Sequence, residues 1–405
     1  MRMLIITIFL ATTAFSFFLK YLTYSRRNAA LPGNVRDVYD DEMYRKNQAY
    51  KMETLKSSIA RGLIGMSVTL AFLGFNFHHR LYAFISAYTT NVYLTSIFIL
   101  LVPIVIVFVI HRLISIYDTF VTEACYGFNK STASTFIIDF VKMMLVQLVL
   151  MSGLLALFLF LLDRLGDLVF LVFFFVIAAV QTFMNFIAPL IMRLILKFTP
   201  LEEGELKVKI EALCKKTGYK SKGIYVVDAS KRTTKMNAEI SGFGKTRTIM
   251  LYDTLLKKLS HDEIVSILAH EIGHAKKHHI MKGSMSWSMG WAIMVAAAYF
   301  IVTMPEVSMA FGFASVNVAF AIYVLFIMLE PVNLVLSVPE MALSRKHEYE
   351  ADAFGVEQCG KEAVISGLKK LHRESFDNLT PHPFVVMMQY SHPTLSQRMT
   401  AMEKT

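Results

Sequence analysis

Seven long apolar stretches run through this 405-residue chain and limit what it can fold into. They cover residues 3–19, 62–80, 93–111, 136–161, 168–196, 285–303 and 315–337. Each has the length, about 17–25 residues or more, with which an α-helix crosses a bilayer. Lipid offers no partner to free backbone groups, so such stretches fold as helices. The sequence therefore predicts a mainly α-helical, polytopic membrane protein with seven transmembrane helices.

Composition supports a membrane protein and excludes other classes. Hydrophobic residues make up 55% of the chain and charged residues 18%, against roughly 45–50% and 25% in soluble domains. The formal charge of +10 suits the cytoplasmic loops of a membrane protein. Because the basic residues are scattered and no nucleic-acid-binding motif occurs, we expect no nucleic-acid partner. The three cysteines lack the spacing of a disulfide framework or a thiolate metal site.

The distribution of Lys and Arg predicts the orientation, because these residues prefer the cytoplasmic side. Residues 20–61 are rich in both, whereas the loop 304–314 has neither. Alternation of the spans puts the two large polar segments on the same side as residues 20–61. We therefore expect four parts: 1–197, with transmembrane helices 1–5 and the cytoplasmic loop 20–61; the cytoplasmic segment 198–284; transmembrane helices 6–7 in 285–337; and the C-terminal cytoplasmic segment 338–405.

The first polar segment contains a small β element. Short β-branched and aromatic runs at 223–228 and 248–252 predict two strands. A glycine-containing stretch at 241–245 predicts a turn between them. The cytoplasmic part is therefore expected to combine helices with a small sheet.

Two helices are predicted next to the last pair of spans. Ser260 and Glu263 have the S-x-x-E spacing of a capping box. A helix is therefore predicted over 261–280, with apolar residues at helical spacing behind the cap. Pro339 stands where a second helix can begin, and that helix is predicted over 340–358.

The first of these helices carries the motif His270-Glu271-Ile272-Gly273-His274. Four residues advance a helix by about 400°, so both imidazoles project from one face and can bind one zinc ion. Glu271 lies beside them and can act as the general base of a hydrolase. Because a chain with 12 histidines can contain this pattern by chance, the motif needs a third ligand.

A hydrolytic zinc site uses three protein ligands and leaves one position open. The segment after the seventh span offers four candidates: His347, Glu348, Glu350 and Asp352. Glu348 and Asp352 share a helix face, so one can ligate the metal while the other accepts an imidazole N–H. Glu350 points about 200° away from Glu348, and we favour Glu348 as the ligand. Two spans separate it from His274, so both lie on the same side of the membrane.

With these residues in place, nearly the whole chain resembles the type I CAAX prenyl endopeptidases, the a-factor-converting, integral-membrane zinc metalloproteases of the gluzincin class. Besides the motif and the Glu348-Asp352 pair, the resemblance rests on Leu31-Pro32, Val38-Tyr39-Asp40, Gln48-Ala49-Tyr50, Tyr126-Gly127-Phe128-Asn129-Lys130, residues 227–232, Asn237-Ala238, Ser344-Arg345, His392-Pro393 and Arg398. Two departures occur. Ala275 stands where many relatives carry Trp, and Glu239 stands where an aromatic residue is common. Both departures affect the expected shape of the cleft near the substrate strand, and neither affects the metal site.

The resemblance implies a metal site and a fold. One Zn²⁺ per chain would be held by His270, His274 and Glu348, with Glu271 as general base and Asp352 behind the ligands. Seven long helices would enclose a water-filled intramembrane chamber, capped by the cytoplasmic zinc-protease domain. Polar residues inside apolar spans fit such a chamber, because they are costly in lipid.

The same resemblance suggests roles for three more residues. His392 is the candidate donor to the negative charge that develops on the substrate, and Arg398 would orient it. Asn237 and the strand edge within 237–251 could hold an extended peptide by strand addition. A surface turn at His392 and an ordinary turn residue at Asn237 remain open alternatives. Three other histidines are expected to be solvated bystanders: His278, His279 and His347.

The expected activity is removal of the C-terminal tripeptide that follows an isoprenylated cysteine in a peptide or protein substrate at the lipid bilayer. A quality-control metalloprotease similar to the bacterial heat-shock protease HtpX is an alternative, although those relatives are shorter with fewer spans. A transporter with a polar pore is a less favoured, non-enzymatic alternative. The membrane would be the endoplasmic reticulum in a eukaryote or the plasma (inner) membrane in a prokaryote.

Overall fold

The computed structural model describes residues 1–242 and 247–404, without the side chains of 185–190 and 287. Long helices form the N-terminal half: α1 (Arg2–Ser25), α2 (Asp41–Gly74), α3 (Phe77–Ser86), α4 (Val92–Tyr117), α5 (Ala133–Leu165) and α6 (Leu168–Ile195). A π-helical turn at Asp118–Glu123 extends α4. A 3₁₀ turn at Gly33–Val35 lies between α1 and α2.

The C-terminal half combines short helices, two long helices and a sheet. Its helices are α7 (Glu205–Thr217), α8 (Asp253–Leu256), α9 (His261–Lys276), α10 (His279–Thr303), α11 (Pro305–Met309), α12 (Val318–Cys359), α13 (Lys361–Glu374), α14 (Pro383–Gln389) and α15 (Leu395–Glu403). Its strands are β1 (Phe198–Pro200), β2 (Gly223–Val227), β3 (Ala238–Ser241) and β4 (Thr248–Tyr252).

Six helices among the described residues are long and apolar enough to cross a membrane. They are α1, α2, α4 with its extension, α5, α10 and α12. Six of the seven predicted spans therefore fall on such helices, and the protein is a multi-pass membrane protein. The fifth predicted span falls on α6, whose described apolar part, Leu168–Met184, is shorter. That α6 also crosses the membrane, as one of seven transmembrane helices, stays a prediction.

Three helix boundaries differ from the sequence-based expectation. The stretch 62–80 is broken at Asn76, which adopts the left-handed conformation with φ 52°. Asparagine tolerates this conformation better than most residues, so α2 ends and α3 begins inside an apolar run. The helix predicted over 261–280 ends at Lys276, and α10 begins at His279. The predicted helix start at Pro339 is wrong.

Instead, α12 runs without interruption for 42 residues and contains Pro331 and Pro339. An interior proline removes one backbone hydrogen bond, but packing against neighbouring helices allows it within membrane helices. Here α12 packs along α9 and α10. One continuous helix therefore connects a membrane-spanning segment with the polar segment that follows it.

The sheet has the strand order β1-β2-β4-β3. β2 and β4 pair in parallel, and the other two neighbours are antiparallel. The predicted strands correspond to β2 and β4, whereas β1 and β3 were not predicted. Residues 243–245 of the predicted turn lie outside the described residues. Because β3 is the last strand of the order, it presents a sheet edge.

The apolar face of α9 anchors the sheet to the rest of the domain. Ile264, Leu268 and Ile272 are buried in one cluster with Ile249 and Leu251 of β4. The capping box of Ser260 is present as predicted. Burial on one face fixes the rotation of α9 about its axis, and this rotation sets where the remaining faces point.

Glu263 joins the start of α9 to α13. Its buried carboxylate accepts hydrogen bonds from Ser260 N at 2.9 Å, Ser366 Oγ at 2.6 Å and Lys370 Nζ at 2.9 Å. Burial by itself would raise the pKa of Glu263, but Lys370 and the serine hydrogen bonds lower it to about 2. The carboxylate form is therefore the one that stabilises the fold.

A pKa that is lower in the folded state adds stability above the unfolded value of about 4.3, and this stability is lost as the pH falls further. We expect Glu263→Gln to unfold more easily at pH 7, by about 1–3 kcal/mol. Below about pH 4 the difference from the unmodified protein should shrink. Thermal unfolding in detergent at several pH values measures this. A difference that does not change with pH would contradict it.

Candidate metal centre and active site

Three potential metal ligands converge where α9 crosses α12. The crossing is close because Gly273 has no side chain: a Cβ there would lie 3.2 Å from Ala351 Cα. His270 and His274 point from α9 toward Glu348 of α12. The three ligand atoms lie within 4.8 Å of one another. Among the described residues, the structure thus brings together the three ligands expected from the sequence.

The detailed distances fit a shared cation. The two Nε2 atoms of His270 and His274 are 3.1 Å apart. Glu348 Oε1 lies 3.3 Å from His274 Nε2, and Oε2 lies 3.5 Å from His270 Nε2. Glu348 Oε2 is buried, and the described residues donate no hydrogen bond to it. A buried carboxylate oxygen needs a partner, and two imidazoles with one carboxylate form the donor set of a hydrolytic metal site.

A buried ion pair lies behind His270. Asp352 Oδ1 is 3.0 Å from His270 Nδ1. Arg398 donates to both oxygens of Asp352, at 2.8 Å from Nε and 2.5 Å from Nη2. Both side chains are almost inaccessible to solvent. A carboxylate on Nδ1 keeps the proton there and leaves Nε2 free to ligate a metal.

Among the described residues, Arg398 makes no hydrogen bond to His392, although both side chains line the same cleft. It donates to Asp352, its Nη2 lies 3.5 Å from His270 Nδ1, and its Nη1 lies 3.6 Å from Glu348 Oε2. The reason is local: Arg398 is in the first turn of α15 and points at α12, whereas His392 precedes that helix. This position indicates that Arg398 acts on the metal ligands: on Glu348 directly, and on His270 through Asp352.

Glu271 lines a cleft of about 410 Å³ beside the three ligands. The cleft is also lined by Asn237, His392 and Arg398. Burial raises the pKa of Glu271, and Coulombic interactions with His270 and His274 oppose that rise. A carboxyl group with a raised pKa is a better proton acceptor near neutral pH.

His392 reaches the cleft although 61% of its side chain is exposed. Its Nε2 lies 3.3 Å from Glu348 Oε1, and its Nδ1 lies 2.8 Å from Ser391 Oγ. A serine hydroxyl that donates to Nδ1 leaves the imidazole proton on Nε2. His392 can then donate that proton into the cleft as a hydrogen bond.

Asn237 stands immediately before the edge strand β3. Its carbonyl oxygen accepts from Tyr252 N at 3.1 Å, and its side chain contacts the Tyr252 hydroxyl. The free edge expected within 237–251 belongs to β3 alone, because β4 is paired on both sides. Asn237 also lines the cleft beside the three ligands, so this edge strand begins at the cleft.

Two of the three histidines expected to be solvated are buried. His278 is exposed as expected, whereas His279 and His347 are only 5% and 6% exposed. Their rings stack with centroids 4.0 Å apart and planes 8° apart. His279 also contacts His274 and Glu350. In the sequence, His279 stands five residues after His274. Helical periodicity does not bring residues with this spacing together, and only the break between α9 and α10 does so.

Comparisons with known proteins account for nearly the whole chain. Residues 20–197 match the model of the CAAX prenyl protease N-terminal region with five membrane helices, and residues 200–405 match peptidase family M48. CAAX prenyl protease 1 of Saccharomyces cerevisiae is 28% identical over 97% of this chain and 93% of its own. A rice homologue of CAAX prenyl protease 1 is 33% identical over 71% of this chain and 68% of its own.

The fold is also similar to a solved structure. The crystal structure of Saccharomyces mikatae Ste24p superposes with a TM-score of 0.94 at 27% identity, covering 99% of both chains. These matches confirm the resemblance based on sequence motifs, and they favour neither the quality-control nor the transporter alternative. The protein is a membrane metalloendopeptidase that depends on a metal cofactor and acts on a peptide substrate. The chain belongs to peptidase family M48 and, within it, to the type I CAAX prenyl proteases.

Proposed function

We propose that this protein is a zinc endopeptidase that removes the C-terminal tripeptide after an isoprenylated cysteine. One observation carries the proposal: His270, His274 and Glu348 converge beside Glu271, on a cleft that also holds His392. The donor set favours zinc, which commonly takes two imidazoles and a carboxylate in hydrolytic sites. The names of the relatives supply the substrate class.

The residues of the cleft divide the chemistry between them. Zinc bound by the three ligands would polarise the scissile carbonyl and lower the pKa of water to about 7. Glu271 takes the proton from the attacking water as the C–O bond forms, and it passes this proton to the leaving amine when the C–N bond then breaks. His392 donates its Nε2 proton in a hydrogen bond to the carbonyl oxygen as negative charge develops there.

The peptide is held mainly through its backbone. The free edge of β3 offers main-chain groups, and Asn237 lies at its start. Strand addition binds an extended peptide with little demand on its side chains. This suits an enzyme whose substrates share a lipid-modified cysteine rather than a long sequence.

An intramembrane chamber capped by the zinc domain completes the proposal. A cavity of about 560 Å³ lies among α4, α5, α6, α10 and α12, and it supports space between the spans, although its lining residues are almost all apolar. The basic residues of 20–61 support a cytoplasmic zinc domain. The location would be the endoplasmic reticulum or the plasma membrane. Labelling of the exposed Cys125 by an impermeant maleimide in sealed vesicles tests the orientation.

The proposed division of the chain follows the same scheme. Transmembrane helices 1–5 occupy 1–197 and helices 6–7 occupy 285–337, while 198–284 and 338–405 build the zinc-protease domain. The two family matches meet between residues 197 and 200, which supports the first of these boundaries. The His270 and Glu348 ligands come from different parts, so the domain needs both.

The decisive test uses detergent-purified protein and a farnesylated C-a-a-X peptide, with a non-prenylated twin alongside. We expect release of the a-a-X tripeptide, identified by mass, with the prenylated peptide preferred. A chelator should stop the reaction, and stoichiometric zinc should restore it. The proposal fails if neither peptide is cut while one zinc per chain is bound.

A further inference from the structure

The second histidine of the motif has a hydrogen-bond partner of its own. His274 Nε2 faces the proposed metal position, 3.3 Å from Glu348 Oε1. Its other ring nitrogen, Nδ1, lies 2.9 Å from Nδ1 of His279. On the far side of that ring, His279 Nε2 lies 3.1 Å from Glu350 Oε2. The three side chains thus form a chain of hydrogen bonds that leads away from the metal position.

Only one arrangement of protons satisfies all of these contacts when His274 ligates a metal. A ligating Nε2 has no proton, so the His274 proton lies on Nδ1 and is donated to His279 Nδ1. His279 then carries its own proton on Nε2 and donates it to the Glu350 carboxylate, which only accepts. We propose that His279, oriented by Glu350, is a positioning residue that fixes the tautomer and ring orientation of His274. The proposal rests on the metal site described above.

The local backbone makes this arrangement possible. His278 adopts the left-handed conformation with φ 57° and separates α9 from α10. In an uninterrupted helix, a residue five positions after His274 would point about 140° away from it. The break returns His279 to His274, where it is buried. His347 stacks flat on the His279 ring and limits its rotation.

The two histidine ligands are then supported in different ways. His270 contacts Asp352, whose charge is balanced by Arg398. His274 contacts a neutral imidazole, and the carboxylate of Glu350 lies one residue further out. Hydrogen bonds of this kind raise the basicity of a ligand imidazole, and their loss typically weakens metal binding 10–100-fold.

Three variants separate hydrogen bonding from shape. His279→Phe keeps an aromatic ring against His347 but cannot accept a hydrogen bond from His274. His279→Gln can accept at its amide oxygen and donate to Glu350 from its amide nitrogen. His278→Asn is the matched control, because this neighbour is exposed and asparagine tolerates its left-handed conformation. Elution profile and thermal unfolding verify that each variant folds.

The readouts are zinc affinity, by competition with a chromogenic chelator, and the visible spectrum of the Co²⁺-substituted protein. We expect His279→Phe to bind zinc about 10–100-fold more weakly with an altered Co²⁺ spectrum. His279→Gln should recover most of the affinity, and His278→Asn should match the unmodified protein. Unchanged zinc binding in His279→Phe overturns the inference. Equal weakening in the Phe and Gln variants also overturns it, because the ring would then act by shape.

Zinc binding by the unmodified protein and by His270→Ala shows whether a failure lies in this inference or in the proposed function. If the unmodified protein binds no zinc, or if His270→Ala binds zinc as the unmodified protein does, the metal site itself is wrong. If the unmodified protein binds zinc and loses it in His270→Ala, the site stands, and the His279 variants alone decide the role of His279.

Discussion

Glu271→Gln should abolish peptide cleavage while the protein still binds its metal. The amide has nearly the same shape as the carboxylate but cannot take a proton from water. Glu271 lines the cleft, whereas the three ligand atoms come from His270, His274 and Glu348. General-base catalysis contributes about 10²–10⁴ in rate, so we expect kcat/KM to fall by about 10³ or more. Cleavage of the farnesylated peptide and metal content per chain are the two measurements.

The matched control is Glu357→Gln, which changes an exposed glutamate on α12. It should keep full activity. Retention of a tenth or more of the activity by Glu271→Gln would assign the base to another group. Loss of the metal in Glu271→Gln would mean that the carboxylate takes part in binding it, and the division of roles above would be wrong.

Arg398→Leu should have the largest effect on stability. The substitution leaves the Asp352 carboxylate buried without its bidentate partner. Breaking a buried ion pair from one side costs about 3–5 kcal/mol, since the remaining charge is uncompensated. Asp352 also contacts His270, so metal affinity should fall as well, by about 10–100-fold. Thermal unfolding of the metal-free protein and chelator competition measure the two effects separately.

The double variant Arg398→Leu with Asp352→Leu provides the control. Replacement of both partners removes the uncompensated charge, so the double variant should be more stable than Arg398→Leu alone. Its metal affinity should remain low, because His270 still lacks the acceptor on Nδ1. A double variant that is no more stable than Arg398→Leu alone would show that the two side chains do not act as a pair.

The metal site was predictable because each ligand obeys helical periodicity. His270 and His274 share a face through their spacing of four, and Glu348 with Asp352 repeats that pattern on a second helix. The hydropathy pattern predicted the spans. Because two of these spans separate His274 from Glu348, the pattern also predicted that both residues lie on the same side of the membrane and can meet. The flanking motifs then distinguished this family from other chains with the same zinc motif.

The remaining features depend on backbone conformations that side-chain patterns do not encode. The left-handed residues Asn76 and His278 break helices within apolar or basic runs that look continuous. At Pro339 the error is the reverse: the proline suggests that a new helix starts there, whereas α12 continues through it because packing maintains one helix. The edge strand β3 is only four residues long, so its alternation is too short to recognise. The contact between His274 and His279 depends directly on one of these breaks.

The last helix, α15, ties together parts of the chain that are made at very different times. Asn34, near the start, donates to Ser396 O at 2.9 Å, and Arg398 pairs with Asp352 across 46 residues. Synthesis proceeds from the N-terminus, so Arg398 is added after every other side chain that surrounds the metal position. A nascent copy that has already inserted α12 still lacks the partner of Asp352. The surroundings of the metal position are therefore incomplete until α15 has been made and has packed against α12.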